Sequence, residues 1–258
     1  MMKKLVCEKL FDNQVWKIVL NEPKANVVDS IMLREFQSVF DALSTERRCK
    51  LLILQGAGKH FSFGVSVEEH TEAFAPEMLD LFHGFFIRLS DLAVPVCSLV
   101  SGQCLGGGLE MASFAHFVFA DETARLGQPE INLAVFAPPA SFMLPLKVGH
   151  TAAEDMLLTG RTLDAHEAKA MGLVTRVYPD RETMETKAGE WIQEHILPKS
   201  ALALKIAVRA VRRDFNARLR ESLDAYKALY LKETMTSHDG KEGLGSFLEK
   251  RKPVWTDA

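Results

Sequence analysis

The chain has 258 residues, of which 47% are hydrophobic and 25% charged, with a formal net charge of -3. That is enough apolar chain for a substantial α/β core without a metal or disulfide staple, and the composition argues against disorder. The charge gives no general attraction for nucleic acid, no apolar run reaches membrane-spanning length, and the lysine-bearing start lacks the long apolar core of a secretory leader, so the chain reads as cytoplasmic with no membrane partner.

Val15 to Leu20 alternates and predicts a strand, ended by Asn21-Glu-Pro-Lys24, and a helical pattern follows from Ser30 to Leu43. Leu51 to Gln55 reads as a buried strand. Apolar residues at helical spacing predict a long helix from Pro76 to Leu92. Strands are expected at Val96 to Val100 and Phe117 to Ala120, with a helix beginning near Gly107 between them. After Pro145 the pattern is mainly helical. Two capping boxes, Thr151 with Glu154 and Asp164 with Glu167, mark helix starts, and Gly160 and Gly172 supply stops. A strand at Val174 to Tyr178 precedes helices at Arg181 to Ile196, Ser200 to Ala210 and Asp214 to Met235, then a short one around Phe247 to Arg251. Cys7, Cys49, Cys97 and Cys104 lack CxxC spacing and read as reduced packing residues rather than zinc ligands.

Two glutamates stand apart from the surface charges. Glu110 follows three glycines and opens an apolar stretch, and Glu130 follows Pro129 beside Ile131, Leu133, Val135 and Phe136. Two half-buried carboxylates around one pocket can divide acid and base roles. The glycine run lets an oxygen approach the unpaired N–H groups of a helix start, so Gly107 is a candidate donor to an oxyanion. A dinucleotide fingerprint is not matched, and no Lys-Ser or Lys-Thr completes a P-loop. The stretch His60-Phe-Ser-Phe-Gly-Val-Ser-Val-Glu-Glu-His70 follows a predicted strand and presents the Val65 N–H beside Gly64. Its acids and histidines read as a solvated helix start with Glu68 to His70 on the outer turn, so no metal is expected.

Gly106-Gly-Gly-Leu-Glu110 within Ser101 to Glu110, together with Gly127-Gln-Pro-Glu130, resembles the enoyl-CoA hydratase/isomerase family, the crotonase superfamily, and the similarity runs from Pro23-Lys-Ala-Asn26 to Lys252. The resemblance implies an α/β spiral of ββα units over residues 1–195 and a C-terminal helical trimerisation region over residues 196–258, assembled as a homotrimer or a dimer of trimers. It implies an acyl-CoA substrate and no separate cofactor, coenzyme A being part of the substrate. Carried over position by position, Val65 and Gly107 match the two backbone donors to the thioester oxygen. Glu110 and Glu130 match the two carboxylates that handle water in hydratase members. Lys24, Ala25, Ser66, Val67 and Glu68 match positions along the coenzyme A arm, and Phe247 and Lys250 a C-terminal pair that reaches the coenzyme A of a neighbouring subunit. Many isomerase members keep one of the acids, so the presence of both favours hydration or dehydration.

The sequence departs from the usual hydratase pattern after Glu130. There Ala137, Pro138 and Ala140 replace positions that are glycine or proline in the common loop, stiffening the wall of the acyl pocket. Phe63 adds a ring beside the first donor, and Ser66 stands where aspartate is common. With Phe136, these features look like the cyclohexa-1,5-diene-1-carbonyl-CoA hydratase subgroup, whose flat cyclic substrate would suit Phe63 and Phe136; ordinary core packing explains either ring equally well. A general short-chain enoyl-CoA hydratase is the alternative, followed by an isomerase. RNA binding has only the basic late helices, Lys199 to Arg220, in its favour, and these also read as a solvated face.

Overall fold

The computed structural model describes residues 2–22 and 24–258; Pro23, part of the predicted strand-ending turn and the first residue of the family resemblance, lies outside them. In chain order the elements are β1 Leu5–Leu10, β2 Val15–Leu20, α1 Ser30–Thr45, β3 Leu51–Gly56, α2 Ala75–Leu92, β4 Val96–Val100, β5 Gln103–Leu105, α3 Gly107–Phe114, β6 Phe117–Asp121, β7 Arg125–Gly127, α4 Pro138–Val148, α5 His150–Thr159, β8 Thr162–Asp164, α6 Ala165–Ala170, β9 Arg176–Tyr178, α7 Arg181–His195, α8 Ala201–Val211, α9 Arg213–Leu229 and α10 His238–Leu248.

Six strands form one sheet in the order β1-β2-β3-β4-β6-β9, antiparallel at β1-β2 and parallel elsewhere. A parallel sheet is covered on both faces, so its strands read as continuous apolar runs with alternate residues serving opposite cores. Leu52 and Leu54 of β3 join Val96 and Val100 of β4 in the main core with α1, α2 and α3. Leu51, Ile53, Cys97, Leu99 and Phe119 face the other way, onto Met184, Ala188, Trp191 and Ile192 of α7. A second sheet of three short strands, β5-β7-β8, continues from the ends of β4 and β6. β4 therefore runs on into β5 and β6 into β7, and Gly106, at the end of β5, donates to Gly127 O at the end of β7 (2.9 Å). That bond brings the loops carrying Glu110 and Glu130 together.

The structure corrects several sequence expectations. Strands β1, β5, β7 and β8 were not expected; three of them are only three residues long and carry no alternation to read. Thr151 does not cap a helix: α5 starts at His150, behind Gly149, whose φ of +81° breaks the chain after α4 and leaves Thr151 inside the first turn. Asp164 does cap, accepting from Glu167 N (2.8 Å). The last helix spans His238–Leu248 rather than Phe247 to Arg251. Ser237 caps it, accepting from Gly240 N (3.0 Å), and Gly240 and Gly243 within it serve close packing. A methyl on Gly243 would stand 2.1 Å from Leu133 O, so this helix lies against the segment that follows Glu130. The pattern from Asp214 to Met235 divides into α9 and a π-helical turn, Tyr230–Thr234.

Candidate active site

The loop after β3 is held in place from below. Asn26, buried and at φ +48°, donates to Ala57 O and His60 O (both 2.9 Å) and accepts from Glu22 N (3.1 Å). Ser62 Oγ donates to Asn26 O (2.7 Å) and accepts from Gly64 N (3.0 Å). Val28 then pairs with Val65 in a parallel bridge, donating to Gly64 O and accepting from Ser66 N (both 2.9 Å). In a parallel bridge the residue between those two bonds turns its own N–H to the opposite side. For Val65 that side is Gly107. A Cβ on Gly107 would stand 3.3 Å from Val65 N and 2.4 Å from Val65 Cγ2. Gly107 is the first residue of α3, so its N–H has no intrahelical acceptor.

We expect Asn26→Ala to lower stability by about 2–3 kcal/mol, because it takes the donor from the half-buried Ala57 and His60 carbonyls and puts alanine at positive φ. Urea denaturation measures this; a loss below about 0.5 kcal/mol would mean that Asn26 does not brace the loop.

One cavity collects the chemistry. Its walls include Val65, Gly107, Glu110, Glu130, Phe63, Val67, Phe136, Ala137 and Pro138 from the predicted set, and His70, Phe82, Leu133, Tyr230 and Leu244 besides. Glu110 stands one turn into α3, is buried, and accepts from Ala140 N through Oε1 (2.7 Å). Pro129 opens a 3-10 turn, Pro129–Leu133, which carries Glu130 to the facing wall. Only glycine fits at position 106, where a Cβ would lie 2.7 Å from Glu130 Oε1 and φ is +51°. Gln128, also buried, donates to Glu130 Oε2 (3.1 Å), Glu130 Oε1 (3.2 Å) and Gly106 O (3.2 Å) when its amide nitrogen faces them.

Burial raises the Glu110 carboxyl well above the ordinary carboxylate range, and the neighbouring Glu130 charge raises it further against the Ala140 N–H. Burial likewise pushes Glu130 up, to about 7. The two titrate as a pair, and a site of this kind holds a proton at neutral pH that separate surface glutamates would have lost. Such a pair can accept a proton from water and return one to carbon.

The remaining predicted residues divide. Ala25 O accepts from Phe63 N (2.9 Å), so Ala25 and the exposed Lys24, at φ +77°, border the first loop without lining the cavity. Ser66 is buried and donates to Glu68 Oε2 (3.2 Å), while Glu68 is exposed. Phe247 and Lys250 are exposed at the end of α10, outside the cavity. His70 departs from expectation. It belongs to a 3-10 turn, Val67–His70, faces the cavity rather than the outer turn, and is held neutral by burial, with Nδ1 on Ser66 O (2.7 Å). Among the described residues no group of three or more histidine, cysteine or acidic side chains is arranged to hold a metal. Sequence reasoning missed Asn26, His70, Gln128 and Tyr230. Two of these left a trace in the sequence: Gln128 stands inside the second motif, Gly127-Gln-Pro-Glu130, and Asn26 closes the first stretch of the family resemblance. Of the basic residues of the late helices, Arg212 donates to Phe114 O (2.6 Å), Lys205 to Glu46 O (3.3 Å), and Arg220 pairs with Asp91 (2.8 Å).

Residues 11–258 match the family described as enoyl-CoA hydratase/isomerase. The chain belongs to that family. It is 42% identical over 244 residues to the cyclohexa-1,5-dienecarbonyl-CoA hydratase of Thauera aromatica, covering 95% of this chain and 93% of the relative. A probable enoyl-CoA hydratase of Rhizobium meliloti is 36% identical over 244 residues, covering 93% of each chain. Among solved structures, an enoyl-CoA hydratase of Bacillus anthracis aligns with a TM-score of 0.78 at 29% identity, over 99% of this chain and 100% of the other. One from Mycobacterium avium subsp. paratuberculosis K-10 aligns at 0.86 over the whole of both chains, at 24% identity. The architecture is thus the crotonase fold, and the enzyme is a hydro-lyase of the enoyl-CoA hydratase type.

Proposed function

We propose that this enzyme adds water to a cyclic conjugated dienoyl-CoA, cyclohexa-1,5-diene-1-carbonyl-CoA, giving 6-hydroxycyclohex-1-ene-1-carbonyl-CoA. The observation that carries the hydratase part is one cavity whose walls hold two carboxylates with raised pKa together with Val65 and Gly107, whose N–H groups lie side by side. On this reading the two N–H groups hold the thioester oxygen and take up the negative charge that grows on it as water adds. Glu110 and Glu130 hold the water between them; the pair, carrying one proton, removes a proton from the water and delivers one to carbon. Proton count and charge are unchanged over the cycle.

The cyclic acyl group is supported by the wall after Glu130. Phe136, Ala137 and Pro138 close it with side chains and a fixed backbone, and the rings of Phe63, Phe82 and Tyr230 line the rest. The 42% identity with the Thauera aromatica hydratase points the same way. Steady-state hydration of the cyclic dienoyl-CoA beside crotonyl-CoA tests it. We expect kcat/KM for the cyclic substrate to be at least about tenfold higher, the discrimination that about 1.4 kcal/mol of differential binding supplies; a preference for crotonyl-CoA would overturn the cyclic assignment. The same reading carries the coenzyme A contacts of Lys24, Ala25, Ser66, Val67, Glu68, Phe247 and Lys250, and assembly as a trimer or dimer of trimers. Exposed Leu202, Ile206 and Val211 of α8 offer apolar surface for that assembly.

A further inference from the structure

Tyr230 is 1% exposed, lines the cavity shared by Glu110 and Glu130, and has a buried hydroxyl with no hydrogen-bond partner among the described residues. Its ring packs against Phe136 (centroids 5.5 Å apart) and near His70 (6.4 Å). Phenylalanine would fill the same space without taking an unpaired hydroxyl out of water. The backbone is also unusual there. Tyr230 begins the π-helical turn that ends α9, with Met235 N donating to Tyr230 O (2.9 Å), and such turns gather at functional sites.

The polar inventory of the cavity gives the hydroxyl its use. Of the side chains lining it, only Glu110, Glu130, His70 and Tyr230 carry nitrogen or oxygen. The carboxylate pair holds one proton, the one the reaction transfers, and an ionised carboxylate only accepts. His70 is neutral, and with Nδ1–H donating to Ser66 O its Nε2 is an acceptor. Tyr230 is the one neutral side chain there that always carries an O–H to donate. The carboxylates lie close enough for their charge to help raise its phenol, after burial itself, so it stays protonated.

We propose that Tyr230 recognises the hydroxyl of the hydrated acyl-CoA, its phenol O–H donating a hydrogen bond to that hydroxyl oxygen. On the enoyl side that oxygen belongs to the separate water molecule, so the bond is made to the acyl ligand only once it is hydrated, and Tyr230 sets the affinity for the hydrated ligand against the unsaturated one without moving a proton. This inference rests on the hydratase reading, and the two can fail separately.

The experiment compares wild type and Tyr230→Phe in both directions, hydrating an enoyl-CoA and dehydrating its hydroxyacyl-CoA. We expect the variant to raise KM for the hydroxyacyl-CoA about tenfold, with KM for the enoyl-CoA within about twofold and a melting temperature equal to or above that of wild type. A parallel rise of both KM values, or of neither, would overturn the role of Tyr230 and leave the hydratase reading standing. No turnover by wild type in either direction would remove both. A second measurement needs no variant: wild type should bind hydroxybutyryl-CoA about tenfold more tightly than butyryl-CoA by calorimetry, and equal affinities would overturn the proposal even if Tyr230→Phe did not fold.

Discussion

Glu110→Gln and Glu130→Gln should each lower hydratase kcat by about a hundred- to ten-thousand-fold, because each removes one member of a pair that must both take and give a proton. The double variant should be little worse than the weaker single, since groups that act as a unit do not add. Double-bond isomerisation surviving in one single variant would instead favour an isomerase. The same substitutions should stabilise the fold at alkaline pH. Glu130 is raised from the ordinary 4.5 to about 7, so between those values the native state binds more protons than the unfolded chain. Stability therefore falls as pH rises through that window, and the deficit is complete above about 7. For Glu130 it amounts to at most about 3 kcal/mol. Glu110 acts in the same direction, and glutamine keeps an oxygen for the Ala140 N–H. Thermal melts should thus show Glu130→Gln above wild type at pH 8 and level with it near pH 4. A destabilised variant at pH 8 would mean that Glu130 is held ionised by partners rather than strained by burial.

The contrast between what the sequence discloses and what it hides follows from range. β3, β4 and β6 were legible because each is a mostly apolar run buried on both faces, β2 because its residues alternate, and α1 and α2 because their apolar positions repeat at helical spacing. Glu110 and Glu130 were legible because glycine and proline are locally demanding residues: Gly106 must leave room for a carboxylate, and Pro129 starts the turn that turns Glu130 inward. The small sheet was hidden because three-residue strands are made by their partners. His70 was misjudged because four residues of helical turn do not say which face meets a cavity. Tyr230 was the least legible. It comes from a helix a hundred residues later in the chain than Glu130, and the π-helical turn that begins with it has no periodic signature. Across the site, local backbone chemistry was readable, and side chains delivered by tertiary packing were not.

Gly107→Ala should cost about a hundred- to a thousandfold in kcat while leaving a folded protein, the loss expected when one oxyanion donor no longer reaches its acceptor. The added methyl would stand 2.4 Å from Val65 Cγ2, 3.0 Å from Phe82 Cζ and 3.3 Å from Val65 N. It therefore occupies the space between the two N–H groups, where the thioester oxygen is proposed to sit. Neither neighbour yields easily, since Val65 is stiff at χ1 and Phe82 is buried in the core. Overpacking of this kind destabilises by about 1–3 kcal/mol, partly offset by about 1 kcal/mol from alanine in a helix. Gly84→Ala is the matching control, because Gly84 lies within α2 with nothing within 4 Å of its added methyl. That variant should gain about 1 kcal/mol and keep full activity. If Gly107→Ala instead kept its kcat and lost only stability, the space between Val65 and Gly107 would be a packing seam, and the developing negative charge would have to be held by other donors.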